Sequence, residues 1–106
     1  MPNAYIRRQP AHRVEKMLKD YQEEILFRMF DNKIISMNYC AVEKVASMIK
    51  WQTIAKKYGI KKSLPSVLGN LHSKGYVDFH GKSRDVVSLS RLGVDYVMGK
   101  SAHRTM

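Results

Sequence analysis

Between residues 14 and 29 apolar side chains return at helical spacing. Val14, Met17, Leu18, Tyr21, Ile25, Leu26 and Met29 share one side, with Glu15, Lys16, Lys19, Glu23 and Glu24 elsewhere on the cylinder. The pattern predicts a helix of about five turns ending near Asp31-Asn32, whose projecting end is a natural surface for a second copy. A second helical pattern starts near Ser36, with Ala41, Val42, Val45, Ala46 and Ile49 on one side. No glycine or proline separates it from the next, and a break is expected around Lys50. The third helix runs from Trp51 or Gln52 to Tyr58, with Ile54, Ala55 and Tyr58 inward, and stops at Gly59. After a Lys61-Lys62 turn, Ser63 caps a fourth helix that carries Pro65 in its first turn. Leu64, Val67, Leu68 and Leu71 form its apolar stripe, leaving Ser66, Gly69, Asn70 and Ser73 opposite. Val77 and Phe79, then Val87 and Leu89, alternate with polar residues across a turn at 80–85, which predicts a two-stranded ribbon with a basic tip. Ser90 caps a last helix containing Leu92, Val94, Tyr96 and Val97, expected to close at Gly99.

The order of these pieces resembles the winged helix-turn-helix superfamily, and within it the small MarR-like regulators and DNA-binding proteins frequent in archaea. The resemblance rests on Gln52-x-Ile54-Ala55-x-x-Tyr58-Gly59-Ile60, on Ser63-x-Pro65-Ser66-Val67-x-x-x-Leu71-x-x-x-Gly75-Tyr76-Val77, and on Leu89-Ser90-x-Leu92-Gly93 after the ribbon. Outside that stretch the chain matches only in being helical. The expected fold class is mainly α with a small β-hairpin, α+β. Residues 1–12, interrupted by Pro2 and Pro10, read as a flexible basic arm, residues 13–99 as one domain and residues 100–106 as a flexible tail. Within the domain, 13–50 supply dimerisation and core helices, 51–75 the helix-turn-helix, 76–89 the wing and 90–99 the closing helix.

Charge adds a direction to this scaffold. The net charge is +10, and residues 50–84 carry eight bases against Asp78 alone. A basic face on such a scaffold suits a polyanion, because neutralising phosphates releases condensed counterions. The resemblance implies that the helix from Ser63 to Lys74 enters the major groove while the wing approaches backbone or minor groove. Candidate contact residues are Arg7 and Arg8 of the arm, Gln52, Lys56, Lys57, Lys61, Lys62, Ser63, Ser66, Asn70, Ser73 and Lys74, and Lys82, Ser83 and Arg84 of the wing. Of the exposed recognition face only Asn70 suits direct base readout, so binding is expected to be strong and modestly selective. The partner expected is double-stranded DNA, bound by a homodimer acting as transcriptional regulator or nucleoid-type architectural protein. RNA binding and a protein-adaptor role remain as alternatives.

Other chemistry finds little support. His12, His72, His80, His103 and Cys40 show no metal-ligand spacing, so neither a metal nor a cofactor is expected. Gly59-Ile60-Lys61-Lys62-Ser63 lacks the spacing of a phosphate-binding loop, no serine sits in a nucleophile elbow, and no enzyme is expected. Asp78 and Asp85 read as strand and turn residues, and His72 and His80 as ordinary exposed histidines. Cys40 reads as a small buried hydrophobe and Trp51 as a packing aromatic. Met17, Met29, Met37 and Met48 read as core in preference to the lining of an effector cavity, although MarR-like relatives often sense small molecules. No apolar run is long enough to cross a bilayer, and the first residues lack a secretory apolar core, so a cytoplasmic, nucleoid-associated protein is expected.

Overall fold

The computed structural model describes residues 18–83 and 85–104, with side chains described as far as Lys100. Among these the fold is α+β, with five helices and one small antiparallel sheet. The order is α1 (Asp20–Asp31), β1 (Cys40–Ala41), α2 (Val42–Met48), α3 (Trp51–Tyr58), α4 (Leu64–Ser73), β2 (Val77–His80), β3 (Val86–Leu89) and α5 (Arg91–Arg104). This order is compatible with the winged helix-turn-helix that the sequence resembles.

Helix α1 is shorter than its apolar pattern predicts. Leu18 and Lys19 lie outside it, because the Lys19 N–H donates to Gln22 Oε1 at 3.0 Å and closes the N-terminus at Asp20. The expected start at Val14 lies outside the described residues. The described helix is 12 residues long, and its Ile25, Leu26 and Met29 are buried.

Residues 33–41 correct a second expectation. A helix from Ser36 does not form: Lys33 and Ser36 take positive φ of 60° and 49°, and the chain runs along the sheet before α2 begins at Val42. Ile34 is fully buried, Ile35 bridges Leu89, and Cys40 and Ala41 pair with Val87 and Val86. The ribbon therefore gains a third strand, in the order β1-β3-β2. Cys40 is half-buried there, packed against the core.

The break between α2 and α3 falls at Lys50, whose φ of 57° is left-handed. Arg28 of α1 steadies the corner by donating to the Ile49 carbonyl at 2.8 Å. Gly59 ends α3 at φ 67°, and the Ser63 hydroxyl accepts from Ser66 N at the start of α4. Trp51 packs against the core from the edge, as do Tyr58 and Ile60.

The core lies between the sheet and the helices: Ile34, Val45, Ile54, Leu68, Leu71, Val77, Val87, Leu89 and Val97 are inaccessible to solvent. Ser90 caps α5 by accepting from Gly93 N at 3.1 Å and donates to the Gly75 carbonyl at 2.6 Å. Gly93 lets that helix approach Tyr76, since a Cβ there would lie 2.2 Å from the Tyr76 carbonyl oxygen. The helix does not stop at Gly99 but continues to Arg104, so residues expected as tail belong to it as far as 104. Gly99 keeps ordinary helical backbone, and Lys100 pairs with Glu23 of α1 at 3.5 Å.

Candidate nucleic-acid interface

Between Lys50 and Val77 the chain carries no carboxylate. Lys56 and Lys57 of α3, Lys61 and Lys62 of the turn and Lys74 just after α4 therefore have no carboxylate within that stretch to offset them, while α4 itself carries no lysine or arginine. Helix α4 buries Leu64, Val67, Leu68 and Leu71, and at 3.6 residues per turn this sets Ser66, Gly69 and Ser73 near the opposite pole. Ser66 and Ser73 are exposed and Gly69 is half-exposed. Ser73 Oγ donates back to the Gly69 carbonyl at 3.1 Å, one turn earlier.

Two shallow grooves lie in this part of the chain, one against α4 and one against α3. On the wing side, Pro65, Gly69 and Ser73 of α4 meet Phe79 of β2. On the turn side, Trp51, Gln52, Ala55 and Lys56 of α3 meet Ile60 and Lys62. Gln52, Lys56, Lys61, Lys62 and Ser63 are exposed, as are Lys82 and Ser83 at the hairpin turn, where Gly81 takes φ 82°. Arg84 lies outside the described residues, and so do Arg7 and Arg8.

Three of the expected contact residues are engaged by α1. Lys57 reaches Glu24, with Nζ 3.3 Å from Oε1, and so links α3 to α1 through a side chain that stays 60% exposed. Asn70 is exposed, yet its Oδ1 accepts from Gln22 Nε2 at 2.8 Å. Lys74 is half-buried, and its Nζ lies 3.5 Å from Gln22 Oε1. Gln22 is not among the residues expected at the site, although it shares the α1 stripe with Ile25, Leu26 and Met29. A polar residue on an apolar stripe is a signal that it meets a polar partner inside.

The histidines are not the ordinary exposed residues expected. His72 Nδ1 lies 3.0 Å from the Val77 carbonyl oxygen at the β2 edge, and its ring meets Phe79 edge-on. His80 Nε2 lies 3.0 Å from Ser88 Oγ, and Tyr39 stacks on its ring at 4.3 Å. Ser88 is buried and donates to the Ser36 carbonyl, which holds the stack on the outer face of the sheet. Tyr39 is 46% exposed there.

A third cleft, lined by Glu23, Glu24, Phe27, Arg28, Tyr58 and Lys100 among others, lies against α1. Most of its charges are engaged with one another: Glu24 with Arg28 and Lys57, Glu23 with Lys100 and the Tyr96 hydroxyl. Burial, followed by the hydrogen bond to Glu23, pushes the Tyr96 phenol above its ordinary range. Of the methionines, Met29 is buried and Met37 is 83% exposed, so they do not line a common cavity; Met17 lies outside the described residues. Among the described residues no group of three or more His, Cys, Asp or Glu is placed to hold a metal ion, and no helix is long and apolar enough to cross a membrane.

Comparison with family models, with curated proteins and with solved structures finds no match to this chain. The function of the site has to follow from its own geometry.

Proposed function

We propose that this chain is a winged helix-turn-helix protein that binds double-stranded DNA, with α4 in the major groove and the β2–β3 turn against backbone or minor groove. The observation that carries this reading is the outward face of α4. It is exposed and free of carboxylates, and exposed lysines stand on the segments joined to it in the chain, Lys56 on α3, Lys61 and Lys62 in the turn before α4, and Lys82 in the β2–β3 turn. Helix width suits the major groove, and lysines at its margins suit the phosphates that border it. MarR-like membership, a homodimer, and a role as regulator or nucleoid-type architectural protein belong to the same proposal. For the dimer, the exposed Leu92 and Met98 of α5 are apolar surface that a second copy would cover.

The test is affinity for duplex DNA against salt, by mobility shift or fluorescence anisotropy. If each protomer neutralises on the order of five phosphates, a dimer gives a log–log slope of about −9. Affinity indifferent to salt would refute the proposal. Sedimentation across protein concentration tests the dimer.

A second reading, RNA binding, is favoured by one feature: the Tyr39–His80 stack is partly exposed beside the wing, and unpaired bases stack on such rings. Competition between duplex DNA and structured RNA separates the two. Tyr39→Ala weakens only the RNA complex if that reading holds.

A further inference from the structure

Asn70 is the one Asn, Gln or Arg of α4, the residue types whose side chains pair with a base edge through two hydrogen bonds, and it is exposed. Reading adenine takes both ends of an asparagine amide: Oδ1 accepts from N6–H while Nδ2 donates to N7. Which end faces outward is set by the neighbours of the amide.

Those neighbours form a directed chain. The Lys19 backbone N–H, which cannot act as an acceptor, donates to Gln22 Oε1 at 3.0 Å. Lys74 Nζ, also donor only, approaches the same oxygen at 3.5 Å. Turning the Gln22 amide over would set its NH2 against both donors, so its nitrogen is the end that faces Asn70. That nitrogen donates to Asn70 Oδ1 at 2.8 Å. Gln22 is 2% exposed, and breaking this bond would leave a buried donor unpaired. The Asn70 oxygen is thus turned toward Gln22, with one of its two lone pairs taken. No described residue accepts from its Nδ2, and the side chain is exposed.

Resting on the DNA-binding reading above, we propose that Gln22 fixes the Asn70 amide so that α4 offers N–H donors and takes a hydrogen-bond acceptor of DNA, a purine N7 or a phosphate oxygen, and does not read the donor-and-acceptor edge of adenine. Asn70 is the contact residue and Gln22 its positioning residue. Selectivity follows from a glutamine that never touches the ligand.

The full chain is titrated by fluorescence anisotropy against a labelled mixed-sequence duplex of about two helical turns. Three altered forms accompany it: one with 7-deazapurines, which lack the N7 acceptor; one with alternating methylphosphonates, which lack a phosphate oxygen; and one with nebularine for adenine, which lacks the N6 amine but keeps N7. Wild-type affinity is expected to fall about tenfold on the 7-deaza or the methylphosphonate duplex beyond the loss Asn70→Ala shows on the same duplex. Which of the two responds identifies the acceptor. The nebularine duplex should leave wild type and Asn70→Ala equally unaffected.

Gln22→Met frees the Asn70 oxygen, and should add a sensitivity to the N6 amine that wild type lacks, a gain that simple loss of packing would not produce. If that variant fails to fold, the Asn70→Ala comparison decides alone. The inference is overturned if Asn70→Ala tracks wild type on both acceptor-depleted duplexes, or if nebularine removes the affinity that depends on Asn70. Absence of salt-dependent binding to the unmodified duplex would instead remove the DNA reading itself, and the inference with it.

Discussion

The Tyr58 hydroxyl donates to Glu24 Oε1 at 2.8 Å and so fixes α3 against α1. Lys57 reaches the same oxygen at 3.3 Å and Arg28 holds the other. One carboxylate thus orients the first helix of the candidate interface from behind. Burial alone would raise the Glu24 pKa, but the hydrogen bonds from Tyr58, Lys57 and Arg28 outweigh it and hold the group below its ordinary value.

A pH dependence follows. The folded-state pKa is depressed, so the native chain binds fewer protons than the unfolded chain near the ordinary carboxylate range. The stabilisation is complete above that range and is lost as pH falls through the folded value. Denaturant unfolding from neutral to acid pH should show this loss, and Glu24→Gln should be less stable at neutral pH with a flatter acid limb. An unchanged acid limb would mean that Glu24 does not supply the linkage.

Much of the helical scaffold is legible in the sequence because the periodicity of α3 and α4, and the Gly59 and Ser63 boundaries between them, are local. The Lys50 break has no glycine or proline to announce it; that corner is steadied by Arg28, which bonds to the carbonyl of Ile49, 21 positions further on. Strand β1 escapes such a reading because two residues paired to a distant strand leave no period to follow. Helix α5 outruns Gly99 because glycine ends a helix only where the backbone turns left-handed, and here it does not. At the interface, the lysine-rich character is visible in composition, whereas the diversion of Lys57 and Asn70 toward α1 depends on hydrogen bonds spanning 33 and 48 positions.

That diversion separates two kinds of lysine. Lys61→Ala with Lys62→Ala should weaken binding to all duplexes alike and lower the salt slope by about one for each phosphate left without its lysine. Lys57→Ala should leave the slope nearly unchanged, because that ammonium is engaged with Glu24. Equal slopes for the two variants would contradict this division.

Ser90 serves two elements at once. Its hydroxyl accepts from Gly93 N and donates to the Gly75 carbonyl, so Ser90→Ala removes a helix cap and a link to the β2 entrance. A loss of about 1 to 2 kcal/mol is expected in denaturant unfolding. Ser90→Thr, which keeps the hydroxyl, should recover part of it.

Gly93→Ala should be more damaging. The added Cβ would meet the Tyr76 carbonyl oxygen at 2.2 Å and the Leu89 side chain at 3.2 Å, so α5 must move off the sheet. The expected cost is about 3 kcal/mol, seen as a much lower Tm or as insoluble protein.

Gly69 offers the opposite contrast, and it tests stability and binding in one substitution. It sits inside α4 with helical backbone, and a Cβ there would meet nothing within 4 Å. Neither its φ nor the protein's own packing calls for a glycine, which costs a helix interior about 0.5 to 1 kcal/mol relative to alanine. Gly69→Ala should therefore raise Tm by about 4 °C. The same methyl would project into the shallow groove with Pro65, Ser73 and Phe79, at the side of α4 proposed to face DNA. Duplex affinity should consequently fall while Tm rises. A variant that is stabilised and still binds with unchanged affinity would mean that DNA does not approach the α4 backbone at this point, and the proposed docking of that helix would have to be turned away from Gly69.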